Sequence, residues 1–236
     1  MTTALARVLI VDPPWSHGDQ LPGKGRGAKK HYACMSLSEI IRMPLPPIHE
    51  DSVLFLWRVS SMVEEAYQVV RAWGFVPKSE IVWNKTVPSD ATGEKDAIGM
   101  GHIVRGSHET CIVARRGKLI KPTSKSERTS FRAPRTTEHS EKPEEFYRIV
   151  ERLYPLELWP EAHVELFARR RRKGWIQLGH ELPPEKFDVP KYEEEHKQEQ
   201  RWLRADVDGW RGVGWQAVRR IVDQDETEYL AGGGAP

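Results

Sequence analysis

The sequence predicts an α/β fold: a sheet of buried strands with helices on both faces. Two short runs, Arg7-Val8-Leu9-Ile10-Val11 and Val53-Leu54-Phe55-Leu56-Trp57, are nearly all apolar and rich in β-branched or aromatic residues. That is the pattern of strands buried on both faces. The segments between such runs carry helix-start spacings, and alternation of the two patterns selects the α/β class. At 236 residues the chain has room for one domain with a full core.

The first strand stops at Asp12-Pro13-Pro14-Trp15, because proline cannot donate to a ladder. Residues 16–32 follow as a glycine-rich basic loop with Gly18, Gly23, Gly25 and Gly27 among Lys24, Arg26, Lys29 and Lys30. Ser36-Leu37-Ser38-Glu39 has the spacing of a capping box and opens a short helix that Pro44 stops. Ser61-Met62-Val63-Glu64 repeats the spacing, and that helix breaks at Gly74. Ile81 to Trp83 and Cys111 to Val113 read as strands, while residues 115–135 read as a loop with eight Lys/Arg and one acidic residue. Pro143 suits the first turn of a helix over Glu144 to Leu153, with Glu144 and Glu145 favourable to its dipole. Val164 to Phe167 and Trp175 to Leu178 close the sheet. Trp57, Trp73 and Trp83 belong to the core, and Gly99-Met100-Gly101 precedes no helical pattern and reads as a loop. The composition shifts after residue 183. Residues 1–183 form the predicted domain and 184–236 a charged extension, partly helical or disordered, with a helix candidate at Lys191 to Arg204.

The net charge of +2 announces no polyanionic partner by itself; the clustering of basic residues in two loops says more. No run approaches the roughly 20 apolar residues of a membrane span. The N-terminus lacks the layout of a signal peptide. Cys34 and Cys111 have no zinc spacing, nor have His31, His102, His108 and His139, so no metal is expected. Two lone thiols favour a reducing, cytoplasmic setting.

The chemistry sits in Asp12-Pro13-Pro14-Trp15. In open α/β sheets ligands bind beyond the carboxyl ends of strands, where this tetrapeptide falls. An aromatic amine such as adenine N6 is a poor nucleophile because its lone pair is delocalised into the ring. The Asp12 carboxylate and the Pro13 carbonyl can accept its two N–H groups and draw the nitrogen towards tetrahedral geometry, so that the lone pair faces an electrophile. The prolines fix φ and hold the carbonyl in place. Trp15 offers a face for base stacking, worth about 1–3 kcal/mol. An anionic Asp12 would stabilise the cation that forms on transfer.

The sequence resembles the MT-A70 family of S-adenosylmethionine-dependent N6-adenine methyltransferases. VLIVDPPW, HYACMSLSEI, the block from SVLFLW to IVWNK, RGSHETCIVARRGK, EHSEKPEEFYRIVERLYP, VELFARR and GWIQLGHEL occur in family order over roughly residues 7–182. The resemblance implies a Rossmann-like methyltransferase sheet with helices on both faces in permuted order, with the catalytic loop before the main cofactor segment. It implies Asp12, Pro13, Pro14 and Trp15 as the catalytic tetrapeptide. For S-adenosylmethionine it implies Val11, Asp12, Lys142, Phe167, Arg169, His180 and Glu181, the last pair standing where other members carry two amides. Around the substrate cleft it implies nucleic-acid contacts from Lys24, Arg26, Lys29, Lys30, Tyr32, Arg115, Arg116, Arg132 and Arg135. DNA is the favoured substrate, since the RNA-binding modules of large relatives have no counterpart here, and RNA is the alternative. A reading of another class, a non-catalytic nucleic-acid-binding subunit, is opposed by the presence of both Asp12 and Trp15. A homodimer is the expected assembly, because family members often pair.

Overall fold

The computed structural model describes residues 5–16, 34–91, 93–99, 103–136, 141–159 and 162–179. Lys24, Arg26, Lys29, Lys30, Tyr32, His180, Glu181 and the extension at 184–236 lie outside them. By internal contacts the described residues other than 42–44 belong to the larger of two compact units.

The described strands of the larger unit are β1 (Ala6–Val11), β2 (Ile48–Arg58), β3 (Val76–Ser89), β4 (Gly93–Asp96), β5 (His108–Arg116), β6 (Ser130–Pro134), β7 (His163–Leu166) and β8 (Ile176–Leu178). They form one sheet in the order β4-β3-β5-β2-β1-β7-β8, with β6 on β3. β2, β1, β7 and β8 run parallel to one another, whereas β5 is antiparallel to both β2 and β3. The sheet is therefore mixed, and β1, the strand that feeds Asp12, lies between two parallel neighbours.

The helices start and stop for local reasons. In α1 (Leu37–Arg42) the Ser36 amide donates to Glu39 Oε2 at 2.6 Å, and the Glu39 amide donates back to Ser36 Oγ at 3.3 Å. This is the reciprocal box expected there. The second expected box does not form. α2 (Val63–Ala72) has Met62 at its N-cap without a side-chain bond, because the chain leaves β2 through a turn in which Met62 N–H donates to Val59 O. The half-helical position thus moves one residue past Ser61. At the other end Gly74 takes φ +78°, and Gly74 and Phe75 donate to Arg71 O and Val70 O, a Schellman stop.

α3 (Glu144–Leu153) buries Phe146, Tyr147, Ile149 and Val150 against Val8, Ile10, Val53, Phe55, Trp57, Ile81 and Trp83. The alternate residues Leu9, Leu54, Leu56 and Ile112 are equally buried, so the opposite face of the sheet is covered too. Trp57, Trp73 and Trp83 are core, as expected. No described helix is long and apolar enough to cross a membrane.

Candidate active site

Strand alternation assembles the site. Val8 and Ile10 face α3, so Asp12, two residues further, continues that face beyond the end of β1. Phe55 and Trp57 do the same on β2, Cys111 and Glu109 on β5, and Ile81, Trp83 and Lys85 on β3. The registers Val11↔Leu56, Trp57↔Cys111 and Trp83↔Glu109 bring these residues to one level at the carboxyl end of β1. Lys142 enters from the other layer, just before Pro143 caps the start of α3.

Four charges of alternating sign result. Lys142 Nζ donates to Asp12 Oδ2 at 2.6 Å and lies 3.3 Å from Glu109 Oε2, and Lys85 is bonded to Glu109 Oε1. The Lys142 side chain is only 7% exposed, against 24% for Asp12 and 27% for Glu109. Its ammonium also lies 5.1 Å from the centre of the Trp57 ring, within cation–π range. Burial, the largest influence on Lys142, favours the neutral amine, but Asp12 and Glu109 outweigh it and raise its pKa. Glu109 is also penalised by burial, yet Lys142 and Lys85 together lower its pKa to about 2. Asp12 behaves oppositely. Burial raises its pKa and Glu109 adds to the rise, and Lys142 and Arg169 only partly offset them. The carboxylate with two lysines is the strong acid, and its neighbour is the readily protonated one.

The tetrapeptide is held tightly. Trp15 N–H donates to Pro13 O at 2.8 Å, a turn that suits the fixed φ of Pro14 at its centre. One lone pair of the Pro13 carbonyl is thereby used and one remains. Met35 N–H donates to Pro14 O, and Ser16 N–H donates to Met35 O. Trp15 differs from the stacking role. It is 2% exposed, and its indole N–H donates to Trp57 O at 3.0 Å. A ring buried in this way presents no free face to a base, and its work is to pin the loop to the end of β2.

Across β1, the register Val11↔Leu166 puts Phe167 beside Asp12 at the end of β7. Phe167 has φ +63°, an outlier for a bulky residue that costs about 1–3 kcal/mol. The next residues fix it there. Ala168 N–H donates to Leu178 O at 3.0 Å, and a Cβ on Gly179 would meet Ala168 O at 2.1 Å. Two residues earlier, the buried Glu165 accepts from Tyr147 Oη at 2.5 Å and Gln177 Nε2 at 2.6 Å, tying β7 to α3 and β8. Arg170 and Arg172 are paired with Glu141, Glu144 and Glu151 and lie over the Tyr147 ring, whereas the charge of Arg169 acts on Asp12 and lowers its pKa.

Of the residues expected around a substrate cleft, Arg132 and Arg135 stand at the catalytic end. Arg132 is opposite Asn84, and the Arg135 amide donates to Thr86 O. Arg115 and Arg116 do not. They pair with Val53 and Ser52, at the amino end of β2, about 13 Å of strand short of Trp57. Sequence reasoning missed Glu109 and Lys85. The signal available was the period of two that carries Trp83 to Lys85 and Cys111 to Glu109.

The family model described as MT-A70 matches residues 6–181. The chain belongs to the MT-A70 family. Among its relatives, a probable N(6)-adenosine-methyltransferase MT-A70-like protein of Oryza sativa subsp. japonica is 29% identical over 180 residues, 74% of this chain and 23% of the relative. The N(6)-adenosine-methyltransferase catalytic subunit METTL3 of Homo sapiens is 29% identical over 181 residues, 74% of this chain and 28% of its own. The type II methyltransferase M.MunI of Mycoplasma sp is 25% identical over 203 residues, 78% of this chain and 81% of its own. The chain thus spans about a quarter of the length of the N(6)-adenosine-methyltransferases it matches. As an MT-A70 protein it carries the Asp-Pro-Pro-Trp loop at the end of a central parallel strand, with the sheet order described above.

Proposed function

We propose that this MT-A70 protein transfers a methyl group from S-adenosylmethionine to the N6 amino group of adenine in nucleic acid. DNA is the first substrate and RNA the alternative. The observation that carries the reading is the Asp12–Lys142–Glu109 cluster, a carboxylate of raised pKa beside the Pro13 carbonyl at the carboxyl end of β1. The type II methyltransferase matches over most of both chains, which supports DNA; the N(6)-adenosine names of the other relatives support RNA.

The site suits the donor. Trp57 Nε1 is buried without a hydrogen-bond partner, and Phe167 is held in a strained backbone conformation at the end of β7, beside Asp12. Phe167 and Arg169 would hold S-adenosylmethionine, which supplies an electrophilic methyl group on a sulfonium. Val11 and Asp12 border the same position from β1. Lys142 is committed to the two carboxylates, so its part is to set Asp12 rather than to bind the donor's carboxylate.

The protein's own work is orientation and charge. Asp12 accepts one N6–H with an oxygen not held by Lys142, and Pro13 O accepts the other with its remaining lone pair. Proximity and alignment of this kind supply about 7–11 kcal/mol where geometry is held. The amine becomes cationic on transfer, and ionised Asp12 stabilises it. The surplus proton then leaves through Asp12 to water. Throughout, Glu109 keeps Lys142 in place while Asp12 turns to the substrate.

The test is mass-spectrometric detection of N6-methyladenine after incubating the purified chain and donor with matched DNA and RNA oligonucleotides in competition. Methyl transfer to adenine N6 in DNA, exceeding that to RNA, is the expected result. Transfer to RNA alone would reassign the substrate, and methylation of neither would end the reading.

A further inference from the structure

We infer that residues 115–135 form a preformed track for the phosphate backbone of the nucleic-acid strand, leading from the amino end of the sheet to the catalytic end; this rests on the nucleic-acid substrate proposed above. The strand registers define its course. Arg115 stands opposite Val76 at the start of β3, and Pro134 stands opposite Thr86 near its end. Ten residues of β3 separate these levels, about 30 Å at 3.3 Å per residue.

The segment is fastened rather than loose. The Lys118 amide donates to Asp51 Oδ1, and Thr123 and Ser124 donate to Leu153 O and Arg152 O at the end of α3. Its one acidic residue is turned inwards: Glu127 accepts both Arg152 Nε at 2.8 Å and Arg152 Nη2 at 2.9 Å. Arg116, Lys118, Lys121, Lys125, Arg128 and Arg135 are left exposed. Among the described residues none supplies a carboxylate to Lys121, Lys125 or Arg128.

The arginines of residues 170–172 show what cations look like when their work is structural, since Arg170 and Arg172 are each paired with glutamates. The track is the opposite case: a fixed row of cations whose own acidic residue is taken up by Arg152, with Arg132 paired to Asp96 at 2.8 Å and the other cations of the row facing outwards. A polyanion with regularly spaced charges fits such a row, and at the 3.4 Å axial rise of a stacked, helical strand about nine nucleotides cover it. Arg115 and Arg116, remote from Asp12, then mark its far end.

The experiment measures binding of labelled single-stranded DNA and RNA oligonucleotides of 4, 8 and 12 nucleotides, across a salt series, to the wild-type chain. The same series is run on a triple variant (Lys121→Gln, Lys125→Gln, Arg128→Gln) and on Arg71→Gln, on α2, as a control. Wild-type affinity is expected to rise with length up to about nine nucleotides. In the triple variant the slope of log K against log salt falls by about 2 to 3, since each neutralised phosphate contributes about 0.7 to 0.9. Arg71→Gln leaves the slope unchanged. Equal slopes and affinities in wild type and triple variant overturn the track while leaving the methyltransferase reading intact. A wild type that binds no oligonucleotide overturns both.

Discussion

Lys142 reaches back across 130 residues of sequence to place its ammonium 2.6 Å from Asp12 Oδ2. The first residue of the proposed chemistry is thus set by a group on the opposite layer of the fold. Asp12 is expected to tolerate no replacement that lacks a carboxylate. In Asp12→Asn the side chain keeps its shape and one acceptor, but the charge that stabilises the methylated amine is gone, which corresponds to about 3 kcal/mol or more and at least a hundredfold loss in turnover. Donor affinity, followed by calorimetry, stays within a small factor. Near-normal turnover in this variant would remove Asp12 from the mechanism.

Lys142→Met separates two roles for the lysine. A donor-carboxylate ligand would lose donor affinity alone. The lysine seen here would leave Asp12 and Glu109 facing each other, and removing one partner from a buried pair costs about 3–5 kcal/mol. Both carboxylates keep about a quarter of their side-chain surface exposed, 24% and 27%, so water screens part of this and about 2–3 kcal/mol is expected. A lower melting temperature in a thermal scan at neutral pH checks it. The acid limb of the pH–rate profile moves up as well, because Asp12 loses the cation that most lowers its pKa.

Glu109→Gln moves the same limb the other way. Turnover needs ionised Asp12 and fails as pH falls through its pKa, which burial and Glu109 both raise. Removing the Glu109 charge leaves Lys142 to Asp12 alone and lowers that pKa, so activity persists to more acid pH. The opposite signs in Lys142→Met and Glu109→Gln, read from kcat against pH, would not arise from general destabilisation. A common sign in the two variants would dismantle the four-charge arrangement.

How much of this was legible in the sequence depended on the range of the signal. Val8 to Val11 and the proline stop at Asp12 are local, and both the strand and its end were readable. The capping spacing worked at Ser36 and slipped at Ser61, where the turn out of β2 decided which residue became the cap. β4 and β6 were not readable because they are edge strands whose pairing partner, β3, fixes them from outside. Arg115 and Arg116 were placed at the cleft by the family resemblance, but β5 is antiparallel to β2 and carries them away from Asp12. Glu109 was hidden for the same reason: only the register Trp83↔Glu109 shows that it meets Lys85 and Lys142.

Gly179→Ala tests how tightly the end of β7 is set. The added methyl would lie 2.1 Å from Ala168 O and 2.8 Å from Ala168 N, both backbone atoms that cannot rotate away. The bond from Ala168 N–H to Leu178 O must open, and Phe167 and Arg169, on either side of Ala168, shift with it. Donor affinity is expected to fall about tenfold or more, the 1.4 kcal/mol of one net hydrogen bond. Oligonucleotide affinity, measured without donor, stays near wild type. Calorimetry with S-adenosylmethionine checks the first, and unchanged donor affinity would take the β7 turn out of the donor site.

Trp15→Phe separates pinning from stacking. If the ring stacked on adenine, phenylalanine would keep most of that contact and stability would not change. In the structure the indole N–H donates to Trp57 O at a buried position, and phenylalanine leaves that carbonyl without this donor. A buried acceptor stripped of its partner costs about 1–3 kcal/mol. The expected outcome is a melting temperature lower by several degrees, with oligonucleotide affinity unchanged and turnover reduced because the Asp12–Pro13 turn loosens. A variant as stable as wild type but weaker in binding adenine-containing oligonucleotides would return Trp15 to the substrate, and would mean that the loop opens to expose it.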